Sequence, residues 1–386
     1  MPGRRILAGV RVLDITQIVA GPVCTRMLAD LGANVVKVDA PGRDGGEGPR
    51  RSAGPAAQNS GKRSIVVDLK RPEGLAVARK LAQAADVLVQ NYRPGALEAL
   101  GLGCEQLRAL NPRLIYTTIS GFGDNTSFAR RGAFGATAHA EAGWLWVQQQ
   151  AQGGDQPFAP GVTVADIATG MNACTAVLAA LYDRDRTGEG QAINVTLMDS
   201  QLAFLAEAAA PALVDPEGTS WTPFRHGLQR TRDGYVAINA GSPRNWRRLA
   251  RATGQAESDA STRESAERML EEWAAGTAST EVARAMEEVG APYGVLRTIR
   301  EAVQHPYFAE RGMIASIPDP LEGTARVVSS PLYFSNADSG PMRGAPLAGE
   351  HTVEILRELG LSDDEVSEME RDGVIEGTNA AGEASK

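Results

Sequence analysis

Between residues 10 and 119 the chain alternates short β-branched apolar runs with stretches of helical spacing. That alternation restricts this half to a parallel sheet covered by helices on both faces. Residues 10–15, 34–38, 64–69, 87–89 and 114–119 read as strands, with helices at 23–31, 73–84 and 105–110 between them. A polar, glycine-bearing loop follows at 121–135. Residues 136–149 read as one helix of small residues carrying Trp144 and Trp146, 150–160 as a loop, and Asp166 as the opening of a helix running to about residue 185. Residues 191–198 read as a further strand.

Residues 211–223 are irregular and Pro- and Gly-bearing, which places a boundary there. Beyond it, a turn leads into a strand at 232–238, and 246–253, 266–275 and 280–289 read as helices of a smaller α+β domain. Residues 320–335 read as strands and turns, 352–359 as a helix, and the apolar-poor tail from 377 as frayed. The expected division is a Rossmann-like large α/β domain at 1–210, a small domain at 222–315, and a segment at 330–386 that returns to the large domain. At 386 residues the chain is long enough for two cores.

Charge and composition narrow the function. With 43% hydrophobic and 22% charged residues, and no unbroken apolar run near the roughly 20 residues of a membrane span, no membrane association is expected. The basic start Met1–Ile6 passes into a strand rather than an apolar signal stretch, so a cytoplasmic chain is expected. Three separated cysteines fit neither a disulfide framework nor a zinc site and read as reduced thiols. A net charge of -8 argues against nucleic acid as a partner.

The first βαβ unit, with Asp39 at its second strand's end, is where a nicotinamide enzyme carries its ribose-binding acid. Its turn, Thr16-Gln17-Ile18-Val19-Ala20-Gly21-Pro22, has one glycine where that fingerprint needs three. Asp39 is therefore read as a local cap or pair. Asp166 stands in Gly161-Val162-Thr163-Val164-Ala165-Asp166, and an aspartate ahead of an apolar helix is far more often a cap than a catalyst. Its neighbours are small enough to leave room for a thioester, which would let it act as a nucleophile. The four histidines lack a Ser or Cys at motif spacing, so no hydrolase triad is indicated. Lys62-Arg63 and Lys70-Arg71 flank a strand where an open sheet can hold a phosphate. Arg130-Arg131 and Arg184-Asp185-Arg186 read as solvated faces.

Several segments together resemble the class III CoA-transferases, a family that also includes α-methylacyl-CoA racemases. They are Val12-Leu13-Asp14-Ile15-Thr16 with Ala20-Gly21-Pro22, Leu31 to Asp39, Lys62-Arg63-Ser64-Ile65, Asp86 to Gly95, Leu110 to Ile115, Asp166 to Gln191, and Ala345 to Thr352. The resemblance implies that Asp166 is the catalytic aspartate. It implies that CoA lies along Val19, Ala20, Val67, Asp68, Leu69, Lys70, Asn91, Tyr92, Arg93, Phe134 and Gly135. Where the formyl-CoA enzyme has an arginine beside its acidic strand end this chain has Ala40, leaving Arg43, Arg50 or Lys70 to hold the phosphates. The glutamine near that enzyme's first turn is Val19 here, and its glycine-rich lid has no counterpart after Ser220.

The implied activity is transfer of CoA from an acyl-CoA donor to a small carboxylic acid through a covalent Asp166 intermediate, with no metal and no tightly bound cofactor. The implied assembly is an interlocked homodimer. Racemases of the family use a histidine near Phe134 and a glutamate near Ser242. Neither Phe134 nor Ser242 transfers protons, and His139 lies five residues past the first of these. A racemase or a non-catalytic acyl-CoA-binding protein are the alternatives.

Overall fold

The computed structural model describes residues 3–42, 56–215, 227–238, 243–256 and 262–377. These divide into two compact units, one of residues 1–149, 154–219 and 310–386, the other of 150–153 and 220–309.

The larger unit is built on a seven-stranded sheet. Its strands are β1 (Arg11–Ile15), β2 (Asn34–Asp39), β3 (Arg63–Val67), β4 (Val87–Gln90), β5 (Ile115–Ser120) and β6 (Ala192–Thr196). The last, Ile375–Glu376, is β12 in chain order, after β7 (Leu228–Arg230), β8 (Tyr235–Ile238) and β9 (Tyr293–Val295) of the smaller unit and the hairpin β10 (Ile314–Asp319) and β11 (Gly323–Val328). The spatial order is β12-β3-β2-β1-β4-β5-β6. All neighbours are parallel except β12, which runs antiparallel to β3 at the edge. Period-2 alternation sends Val12, Val35, Val87, Val89 and Ile115 to one face and Leu13, Ile65, Leu88 and Tyr116 to the other. Both faces are buried, so the strands carry apolar residues on both sides, the reason they read as continuous runs.

The first face is covered by the helices Ala20–Asp30 and Val164–Thr187, the second by Pro72–Ala84, Cys104–Leu110, Thr352–Glu358 and Asp363–Arg371. Ala165, Ala173 and Val177 bury one side of the Val164–Thr187 helix. A Cβ on Gly170 would stand 2.5 Å from the Ala20 carbonyl oxygen and 2.7 Å from the Val23 side chain, so the two helices approach this closely because position 170 carries no side chain. This 24-residue helix has the length and hydropathy of a membrane span, with half of its apolar window buried in the protein and buried Asp166 and Arg184 on its inner side.

Other differences from the expected elements have local causes. The strand expected at 191–198 ends at Thr196, whose Oγ1 accepts from Asp199 N at 2.9 Å and starts the helix Leu197–Phe204. The helix expected at 136–149 is two, Gly135–Glu141 and Trp144–Gln152, separated by Gly143 at φ 91°. The irregular stretch expected from 211 is helical to Val214, and residues 216–226 lie outside the described ones, as does most of the tail. Cys24 and Cys174 are buried free thiols, and Cys104 is half-buried and free.

The smaller unit has a three-stranded antiparallel sheet of β7 (Leu228–Arg230), β8 (Tyr235–Ile238) and β9 (Tyr293–Val295). Val236, Ile238, Leu249, Leu270, Met286 and Val289 form its core with the helices Pro243–Ala252, Arg263–Gly276 and Ser279–Val289.

Candidate active site

The strand order reverses its winding direction between β1 and β4, and in open parallel sheets the carboxyl ends of strands at such a reversal border a crevice. A cavity of about 360 Å³ lies there. Its walls are the segments after β1 (Gln17 to Ala20), after β4 (Asn91 to Pro94) and at the end of β5 (Ile119 to Gly121), together with Arg131 to Phe134, Leu197 and Asp166.

The segment after β1 is held from beneath by buried charges. Asp14 accepts from Thr16 N at 2.9 Å, Thr16 Oγ1 at 2.6 Å, Thr25 Oγ1 at 2.7 Å and Lys62 Nζ at 2.9 Å. Lys37 Nζ donates to the Thr16 carbonyl at 2.7 Å. Burial pushes the Asp14 carboxyl up, but Lys62, Lys37 and the two threonine hydroxyls outweigh it and hold the group well below the usual carboxylate range. Burial lowers Lys62 to about 8 despite Asp14. Lys62 and Arg63 therefore do not offer a phosphate site: Lys62 is fully buried on Asp14 and Asn59, and Arg63 pairs with Glu354 and Glu358. Asp39 accepts from Ser64 Oγ at 2.9 Å, pairing locally across to β3. Arg184 is buried against Asp86 at 3.0 Å rather than lying on a solvated face.

Asn91 clamps the two crevice segments. Its Oδ1 accepts from Gln17 N at 2.8 Å, and its Nδ2 donates to the Gln17 carbonyl at 2.7 Å. Between them Ile18 sits at φ 70°, a conformation that costs a β-branched residue energy and that concentrates at functional sites. Ile18 also lines the cavity.

Asp166 is in the first turn of the Val164–Thr187 helix, 7% exposed. The N-cap residue of that helix, Thr163, makes no side-chain cap bond. Burial raises the Asp166 pKa, while backbone hydrogen bonds from its own residue and from Gly135 oppose the rise. A Cβ on Gly135 would stand 2.1 Å from Asp166 Oδ2. Only a residue without a side chain lets this carboxylate sit where it does. A buried carboxylate at a helix N-terminus, facing a cavity and steadied by N–H groups, has the geometry of an acyl-accepting nucleophile.

The structure thus gathers Val19, Ala20, Asn91, Tyr92, Arg93, Phe134 and Asp166 around one cavity, with Gly135 on the Asp166 carboxylate. Val67, Asp68, Leu69 and Lys70 are at the end of β3, two strands from β1, and do not line it. Lys70 is exposed, and Arg43 and Arg50 lie outside the described residues with Ser220 and Ser242. Gln17, Ile18, Ile119, Ser120 and Leu197 line the cavity without having been singled out, and the strand-end rule for open sheets was the signal available for most of them; Arg131, read from its basic pair as a solvated face, lines the cavity as well. Trp144 packs on Phe204 and His139, while Trp146 is exposed. Among the described residues no group of three or more His, Cys, Asp or Glu is placed to hold a metal.

The sequence model of CoA-transferase family III matches residues 7–352. A human succinyl-CoA:glutarate CoA-transferase is 30% identical over 397 residues, 96% of this chain and 90% of that protein. A human α-methylacyl-CoA racemase is 33% identical over 386 residues, 96% of this chain and 97% of that one. The solved structure of a CAIB/BAIF family protein from Brucella suis superposes with a TM-score of 0.79 at 29% identity, over 92% of this chain and 99% of that one. With the family's sequence matched across nearly the whole chain and its fold matched as closely, this protein belongs to CoA-transferase family III and is an enzyme of that class.

Proposed function

We propose that the protein moves CoA from an acyl-CoA donor to a free carboxylic acid through Asp166. The observation that carries this reading is the placement of a buried carboxylate in the wall of the crevice cavity, approached by a glycine N–H and no side chain. The Asp166 carboxylate attacks the thioester carbonyl, the C–S bond breaks, and CoA leaves as thiolate from a mixed anhydride. The thiolate then attacks the aspartyl carbonyl, releasing the donor acid and leaving an aspartyl-CoA thioester. The acceptor carboxylate runs the same two exchanges in reverse, so activation is passed on rather than lost to water. First-turn N–H groups supply stabilisation for the developing oxyanions.

Arg93 and Arg131 line the same cavity, and the human succinyl-CoA:glutarate CoA-transferase is named for two dicarboxylic acids, so short dicarboxylates such as succinate are the substrate class we assign. Exposed apolar residues on the helices Val164–Thr187 (Met171, Tyr182) and Ala206–Val214 (Leu213, Val214) support a homodimer. Incubation with succinyl-CoA and hydroxylamine should leave a hydroxamate on Asp166, read by peptide mass spectrometry. An unmodified Asp166 across a panel of donors overturns the proposal.

The racemase relative supports a second reading, inversion beside the thioester carbonyl. That chemistry needs a proton carrier on each face. The titratable lining residues among those described are Tyr92, Arg93, Arg131 and Asp166, and His139 is buried on a backbone N–H. Deuterium wash-in at the α-carbon without an acceptor acid would favour inversion over transfer.

A further inference from the structure

His139 is 3% exposed in the middle of the Gly135–Glu141 helix. Its Nε2 accepts from Ala165 N at 3.0 Å, the residue immediately before Asp166. A backbone N–H only donates, so this imidazole holds its proton on Nδ1 and presents a lone pair at Nε2. Burial lowers its pKa, which favours that neutral form. Trp144, ring centroid 6.3 Å away, packs beside it.

First-turn N–H groups of a helix have no partner inside the helix, and an N-cap side chain normally supplies one. Thr163 does not. The acceptor comes instead from another helix, and from the same helix whose first residue, Gly135, donates to the Asp166 carboxylate. Residues 135 and 139 are one turn apart on one face. One end of that turn therefore grips the Asp166 side chain and the other grips the backbone that carries it.

We propose that His139 is a positioning residue for Asp166: its Nε2 bond to Ala165 N sets the register of the Gly135–Glu141 helix against the Asp166 turn and so keeps the Gly135 N–H on the reacting carboxylate. The role is fixed by acceptor position and not by proton transfer. It rests on the reading of Asp166 as the acyl-accepting carboxylate.

Two amide substitutions separate the acceptor's position from its bulk. The glutamine amide oxygen reaches the place of Nε2, and the asparagine oxygen reaches only that of Nδ1. Steady-state kinetics with succinyl-CoA and a dicarboxylate acceptor, and hydroxylamine trapping at Asp166, are read on both variants. The expected result is that His139→Gln keeps kcat and trapping within about threefold of the native chain. His139→Asn should lose about tenfold or more in both, since misplacement of a reacting group by a fraction of an ångström is costly. KM for the thioester should hold in both variants, because the lost effect is on reaction and not on uniform binding. Equal behaviour of the two variants, whether both active or both inactive, overturns the proposal, as does a loss confined to KM. Absence of trapping in the native chain refutes the Asp166 reading itself, and is told apart by that control.

Discussion

Asp166 Oδ2 occupies the space that a Cβ at position 135 would need, 2.1 Å from where that atom would stand. Gly135 is buried at the start of its helix, so an added methyl has to displace either the helix or the carboxylate. The carboxylate is the more mobile of the two, and it also loses the Gly135 N–H. Gly135→Ala should therefore fold with native circular dichroism and lose about 10²-fold in kcat, the scale of a misplaced reacting group. Full activity in a folded Gly135→Ala protein would show that the carboxylate position seen here is not the reactive one.

The same carboxylate is held at a cost. Its pKa is raised by burial, so the folded state binds that proton more tightly than the unfolded chain. Stability from this group is therefore greatest at acid pH and falls as pH rises through the folded pKa, leaving a penalty at neutral pH. Asp166→Asn removes the charge and retains an oxygen to accept from Gly135. Transfer should be abolished while Tm at pH 7 rises. A fall in Tm would mean that the ionised form is stabilised by the site, contrary to the sign argued here.

The sheet was legible because its inner parallel strands are buried on both faces and write compact β-branched runs, such as Val35-Val36-Lys37-Val38 or Val87-Leu88-Val89. The helix Asp363–Arg371 was missed although Ser362 and Glu365 form a capping box, a local signal that was present. The two helices after Thr196 were missed because apolar Leu197 and Met198 continue the strand's pattern without a break. Asp166 was legible only through family resemblance, since its spacing fits a cap. What made it more than a cap is the approach of Gly135, 31 positions earlier, and no local pattern carries that. Lys62 was misread because a basic pair beside a strand gives no sign that its partner, Asp14, lies 48 residues away inside the fold.

That pair gives a stability prediction. Lys62 and Asp14 side chains are both fully buried, at 2.9 Å. Removing one partner of such a pair leaves an uncompensated charge, at a loss of about 3–5 kcal/mol. Lys62→Met should show that loss in urea unfolding, and adding Asp14→Asn should restore much of it, since the amide oxygen still accepts from Thr16. The pH dependence has two signs. Asp14 is held below its unfolded pKa, so its contribution is present above about pH 4 and lost as pH falls below that. Lys62 is lowered from 10.5 to about 8, so the fold gains stability from it as pH rises across that interval. The double variant should lose both slopes. If they persist, other groups are responsible.

Ile18 tests whether the crevice stores strain for binding. It is a β-branched residue at φ 70°, its side chain 50% exposed at the cavity, so little apolar burial offsets the backbone energy. The clamp of Asn91 on both polar groups of Gln17 and the Asp14 network under Thr16 hold it there. Asparagine tolerates the left-handed region, where an ordinary residue loses about 1–2 kcal/mol. Ile18→Asn should therefore stabilise the fold by about 1 kcal/mol, seen as a higher Tm. If the isoleucine is retained for its contact with substrate, KM for the acyl-CoA rises in the same variant while kcat changes little. A stabilised protein with unchanged KM would separate the strain from binding, and a destabilised one would mean that the side chain packs more than its exposure indicates.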